Sequence, residues 1–198
     1  RVETSLKDGW RFHRGEADGA FMPAYDDSGW DRVSVPHDWA ITGPFSIEND
    51  LQNVQIVQNM ETKASLKTGR TGGLPYVGIG WYRTEFSVPD GMTAELLFDG
   101  AMSEARVYVN GHEVCFWPYG YSPFHCDVTP YLNTSGSNVL AVRLENLPFS
   151  SRWYPGAGLY RNVHLVCTSA KAHIPVWGTF VSTPSVHKDM ASVSLAIS

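Results

Sequence analysis

The apolar residues of this chain come in short runs, each closed by Gly, Pro, Asn or Asp before it reaches the length of a helix. Trp81 to Val88 alternates and stops at Pro89-Asp90-Gly91, and Ala94 to Phe98 follows. Arg106-Val107-Tyr108-Val109 runs into Asn110-Gly111, a pair that tolerates the positive φ of a type I′ turn, and Glu113 to Phe116 is the return strand. Phe124 to Val128, Asn138 to Leu144 and Asn162 to Cys167 add three more strands. No segment has the pattern of a long helix. Many short strands at this spacing predict an all-β fold: two antiparallel sheets packed as a jelly-roll-like β-sandwich.

Two stretches break the rhythm. Ile47 to Gly73 is polar and rich in Gln and Asn, which predicts an irregular or mobile segment. Thr168-Ser169-Ala170-Lys171 reads as a linker, after which His173 to Val181 and Ser192 to Ile197 resume strand character. The expected organisation is a sandwich over residues 1–168, then a linker and the first strands of a second β domain over 169–198.

Composition narrows the function. The 15 basic residues are outnumbered by 20 acidic ones and scattered, so a nucleic-acid partner is not expected. No apolar run approaches the ~18 residues of a membrane span. The chain opens at Arg1 without a basic-then-apolar leader, so any export signal is expected to have been removed or never included. Aromatics make up 13% of the residues, more than such a core needs, which points to some being exposed for binding. Cys115, Cys126 and Cys167 are too few for a disulfide framework or a zinc site; buried free thiols are expected, with a single Cys115–Cys126 bridge as the alternative.

Three motifs occur in series. Asp8-Gly9-Trp10-Arg11-Phe12 leads to Asp26-Asp27-Ser28-Gly29-Trp30-Asp31 and Val35-Pro36-His37-Asp38-Trp39. Gly78-Ile79-Gly80-Trp81-Tyr82-Arg83 is the second. Val107-Tyr108-Val109-Asn110-Gly111 leads to Ser151-Arg152-Trp153-Tyr154-Pro155-Gly156-Ala157-Gly158-Leu159-Tyr160-Arg161. In this order they resemble the sugar-binding domain of family 2 glycoside hydrolases, a family of β-galactosidases, β-glucuronidases and β-mannosidases. The wording is most similar to β-galactosidases of gut Bacteroidetes. The resemblance covers nearly the whole chain, and it implies that the second domain is immunoglobulin-like.

Each motif also has a physical reading. Asn110-Gly111 is a hairpin turn, Gly80-Trp81-Tyr82-Arg83 a strand entry with its aromatics in the core, and Gly156 and Gly158 permit a tight loop. Arg152, Trp153 and Tyr154 suit a sugar platform, because pyranose CH faces stack on indole or phenol while a guanidinium donates to hydroxyls; a structural cluster is the alternative. His37, Asp38 and Trp39 offer a titratable pair and an indole on a loop, either to bind a hydroxyl or with His37 held by a backbone carbonyl.

Glycoside hydrolysis by a retaining enzyme needs two carboxyl groups ~5–5.5 Å apart. Asp26-Asp27 has a solvated-turn context, and Glu104, Glu113 and Glu145 have no evident partner in the sequence. The resemblance places the catalytic glutamates on a barrel following the second domain, so this chain is expected to be inactive alone and to form one wall of the pocket. It implies a carbohydrate (β-galactoside) partner, allows a homo-oligomeric parent enzyme and favours a periplasmic over a cytoplasmic location; no cofactor or metal is expected. Relatives carry an Asp in the loop before the matching Gly158, where this chain has Arg152, which changes the expected sugar contact. A free-standing carbohydrate-binding module and an adhesive sandwich are the competing classes.

Overall fold

The computed structural model describes residues 1–49, 51–67, 76–133, 135–148 and 156–197. In chain order the strands are β1 (Val2–Ser5), β2 (Trp10–Arg14), β3 (Asp31–Val33), β4 (Gln52–Val54), β5 (Ser65–Lys67), β6 (Gly78–Phe86) and β7 (Met92–Phe98). Then come β8 (Ala105–Val109), β9 (His112–Trp117), β10 (Phe124–Asp127), β11 (Asn138–Asn146), β12 (Val163–Ser169), β13 (Thr179–Val186) and β14 (Ala191–Ile197). The helical segments described are three 3-10 turns, Trp39–Thr42, Val57–Asn59 and Thr129–Tyr131.

A four-stranded sheet (β1-β12-β7-β10) and a six-stranded sheet (β3-β2-β6-β11-β8-β9) are antiparallel throughout. Period-two alternation sends one set of side chains between them. Trp10, Phe12, Tyr82, Phe86, Val107, Val109, Leu140, Val142 and Leu144 come from the larger sheet; Ala94, Leu96, Phe98, Phe124, Cys126, Val163 and Leu165 come from the smaller. The expected all-β sandwich is therefore the fold.

The outer face of the six-stranded sheet carries a second, smaller core. Trp81 and Ala141 point away from the sandwich and are covered by Ala17 and Ala20, with Phe21, Tyr25 and Trp30 beside them. Arg83 on the same face is 3% exposed. Its Nε donates to Asp27 at 2.7 Å, its Nη1 to the carbonyls of Ala20 and Met22, and its Nη2 to that of Pro23. Burying a guanidinium is costly unless its donors are used, and here the segment over residues 16–30 supplies the acceptors. Asp27 is thus the clamp of that segment, not a solvated turn residue. Trp81 lies in this outer core and only Tyr82 enters the inner one.

Several expectations are corrected locally. Glu113 pairs with Arg106 at 2.9 Å, and Glu145 with Arg143 at 3.0 Å. Asn110 and Gly111 have φ of 50° and 90°, as the type I′ turn requires. The Asn110 amide does more than turn the chain: it donates to the Tyr131 carbonyl and to Asn138, and accepts from the Val139 backbone. Ile47 to Gly73 was expected to be irregular, yet β4 and β5 pair within it (Gln52↔Lys67, Val54↔Ser65); residues 50 and 68–73 lie outside the described residues. After residue 169 the strand resumes at Thr179, not at His173, and β13 pairs with β14 as a separate hairpin.

Cys115 and Cys126 form a disulfide, whereas Cys167 is a buried free thiol. The bridge joins β9 and β10, the strands at one edge of each sheet. A bulge after Val107 shifts the β8–β9 register so that Cys115 lies opposite the buried Val107 and turns inward. Free thiols at Cys115 and Cys126 are therefore a failed expectation.

Candidate functional site at the motif end of the sandwich

The antiparallel register brings the ends of β2, β6 and β11 together: Arg14 lies opposite Gly80, and Gly78 opposite Asn146. The segments following Pro36, preceding Gly78 and preceding β12 all meet here, and all three motifs contribute to the junction.

Trp39 is its centre. It is fully buried, stacked on Phe12 with ring centroids 5.5 Å apart, and near-parallel to Tyr82 at 6.3 Å. A Cβ on Gly80 would lie 2.3 Å from the Trp39 ring, so the second motif needs glycine where the first places its indole. Gly158 has φ of 109°, and a Cβ there would fall 2.5 Å from the Tyr82 hydroxyl and 2.6 Å from the His37 carbonyl. Gly158 also exchanges two backbone hydrogen bonds of 3.0 Å with Met102.

Asp38 binds this junction through its backbone neighbours. Its Oδ1 accepts from the Ala40 N–H at 2.8 Å, capping the 3-10 turn, and from the Ala157 N–H at 3.0 Å, tying the first motif to the third. The His37 N–H donates to the Leu159 carbonyl at 2.8 Å, and the Trp39 N–H to the Ala157 carbonyl at 3.2 Å. The His37 ring nitrogen Nδ1 lies 2.7 Å from the Tyr82 hydroxyl, so the ring is held by a phenol and not by a carbonyl. Burial lowers the His37 pKa and outweighs the neighbouring Asp38, which acts in the opposite direction; burial raises the Tyr82 pKa well above its ordinary value. Both shifts favour the neutral imidazole and the neutral phenol.

Within the described residues of this end, aromatic surface comes from another segment. Tyr119 is 57% exposed and 5.5 Å from Tyr121, ring to ring. The Tyr160 hydroxyl donates to the Gly120 carbonyl at 2.8 Å, which joins this loop to the third motif. A polar cleft of about 400 Å³, lined by Asp8, Arg11, Tyr25, Asp27, Arg83 and Glu85 among others, lies at the opposite end of β2 and β6. Among the described residues there is no group of three or more His, Cys, Asp or Glu able to hold a metal ion.

Residues 4–169 match the sequence model of the glycosyl hydrolases family 2 sugar binding domain. This chain belongs to glycoside hydrolase family 2. A β-galactosidase of Bacteroides ovatus is 40% identical over 200 residues, spanning 99% of this chain and 21% of that protein. A putative β-glucuronidase of Formosa agariphila is 33% identical over 98% of this chain and 17% of its own length. Among solved structures, a β-glycosidase from Bacteroides vulgatus superposes with a TM-score of 0.80 at 30% identity, over all of this chain and 24% of that one. The chain spans about a fifth of the length of these curated relatives.

Within this family 2 domain the six site residues expected from sequence fall into two groups. Arg152, Trp153 and Tyr154 lie outside the described residues. Of the other three, Trp39 is 0% exposed, and the Asp38 Oδ1 accepts from the Ala40 and Ala157 backbone N–H groups. His37 and Asp38 are half-buried, with His37 bound to Tyr82. Sequence reading missed Tyr82 as the hub of all three motifs, and it missed Tyr119. A Tyr-Gly-Tyr sequence beside a proline was the available signal for the second.

Proposed function

We propose that this chain is the sugar-binding sandwich of a retaining, exo-acting β-galactosidase, and that its motif end forms one wall of a pocket completed by a catalytic barrel in the same polypeptide. The observation that carries the reading is the convergence of all three motifs on Trp39, Gly80 and Gly158, packed so closely that neither glycine leaves room for a side chain. The β-galactosidase relative at 40% identity supports the galactoside, while the β-glucuronidase relative at 33% makes a glucuronide the second reading. Arg152, Trp153 and Tyr154 belong to the proposed wall by sequence.

The charged carboxylates described here are largely engaged: Glu16 and Glu145 with Arg143, Asp27 with Arg83, Glu95 with His125, and Glu113 with Arg106. An acid and a nucleophile supplied from elsewhere in the polypeptide fit that pattern. The Cys115–Cys126 bridge favours an oxidising compartment, consistent with a periplasmic location. The same reading includes a homo-oligomeric parent, checked by light scattering. Full-length enzyme assayed against nitrophenyl β-galactoside, β-glucuronide and β-mannoside should turn over the galactoside fastest, and this chain alone should turn over none. Preference for the glucuronide would replace the galactoside reading with the second one.

A further inference from the structure

The Cys115–Cys126 bridge closes the segment that carries Trp117, Tyr119 and Tyr121. That segment crosses from the edge of one sheet to the edge of the other, at the end where the motifs converge. It is held at further points. Trp117 stacks on the buried Phe124 with centroids 5.8 Å apart, and its Nε1 donates to Ser122 Oγ. Gly120 packs so closely that a Cβ would lie 2.3 Å from Met102 Sδ, and its carbonyl accepts from the Tyr160 hydroxyl. Met102 is in turn paired with Gly158. Despite these restraints Tyr119 keeps more than half of its surface in solvent.

A loop this tightly tethered, with a large aromatic left outside, is unusual for a surface that only has to be soluble. The exposed aromatics of the segment are Phe116, Trp117 and Tyr119, and Tyr119, the most exposed of them, is a phenol. A phenol joins an apolar ring face to a polar tip, so its face can stack on the CH face of a pyranose while the hydroxyl stays in water. We propose that Tyr119 is a sugar-contacting residue of the pocket, its ring stacking on a pyranose face, and that the Cys115–Cys126 bridge is the positioning element that holds it there. This rests on the motif end facing the sugar, but not on which sugar.

The test uses the full-length enzyme and whichever β-glycoside wild type cleaves best, as the disaccharide. Tyr119→Ala should lower kcat/KM about tenfold while Tyr119→Phe stays within twofold, because stacking needs the ring and not the hydroxyl. Cys115→Ala with Cys126→Ala should give a similar loss, and adding Tyr119→Ala to that pair should cost little more. An unchanged rate in Tyr119→Ala, or an equal loss in Tyr119→Phe, overturns stacking. A falling melting temperature or an altered mass by light scattering in Tyr119→Ala overturns it in favour of a protein interface. Full activity in the cysteine pair variant overturns the positioning role of the bridge; should that variant fail to fold, the two Tyr119 variants still decide the contact. Cleavage of a glucuronide and not a galactoside would change the proposed substrate while leaving this test intact.

Discussion

At the scale of single residues, the junction of the three motifs is a problem of space. Gly158 combines positive φ with contacts that a methyl group cannot share, so Gly158→Ala should destabilise the sandwich by about 2–4 kcal/mol, read by urea denaturation. His37 gives the junction a pH signature. Its pKa is lowered in the fold, so the unfolded chain takes up the proton first as pH falls. Its contribution is complete above the unfolded value of ~6.5 and is lost as pH drops from there through the lowered folded value. Melting temperatures across pH 7.5 to 4.5 should therefore fall less steeply in His37→Gln than in wild type. A parallel pair of curves would show that His37 does not carry this dependence.

Between elements, the outer face of the six-stranded sheet depends on one cation. Arg83→Met would leave Asp27 without its partner and take a donor from each of three carbonyls, beneath a segment with no sheet pairing of its own. The expected cost is about 3 kcal/mol, with protease cleavage appearing first between residues 16 and 30. Arg143→Met should cost less, because Glu16 and Glu145 are both substantially solvent-exposed and water can replace the lost pairing. The hairpin β13–β14 presents Val181, Val193 and Leu195 to solvent, and two strands alone bury too little to be stable. Its tether is Glu95, a buried carboxylate that accepts from the Val176 N–H at 3.1 Å while pairing with His125 at 2.7 Å.

For the whole molecule, the disulfide ties the two sheets at the edge where β9 and β10 meet. Closing a loop of 11-residue separation constrains the unfolded chain by roughly 3 kcal/mol. Reduction should lower the melting temperature of this chain by several degrees, measured with and without dithiothreitol; no change would mean that the sheets hold without the bridge. A bridge of this kind is also what an exported enzyme retains and a cytosolic one does not, which links stability to the proposed location.

Most strands from Trp81 onward and the two-sheet class were legible because period-two alternation and turn residues are local, and a hairpin such as Asn110-Gly111 is written in two neighbouring positions. The family was legible because its motifs are contiguous in sequence. Everything misread depended on two distant segments meeting. Asp27 looked like a solvated turn until Arg83 arrived from another strand. The burial of Trp39 and the backbone bonds of Asp38 depend on Gly80 and Ala157, which come from other segments. The Cys115–Cys126 bridge stood only as the alternative because a single bulged residue turns Cys115 inward, and a one-residue shift in register changes which face of a strand a side chain occupies. Alternation along a strand states which residues share a face. Only packing states what covers that face.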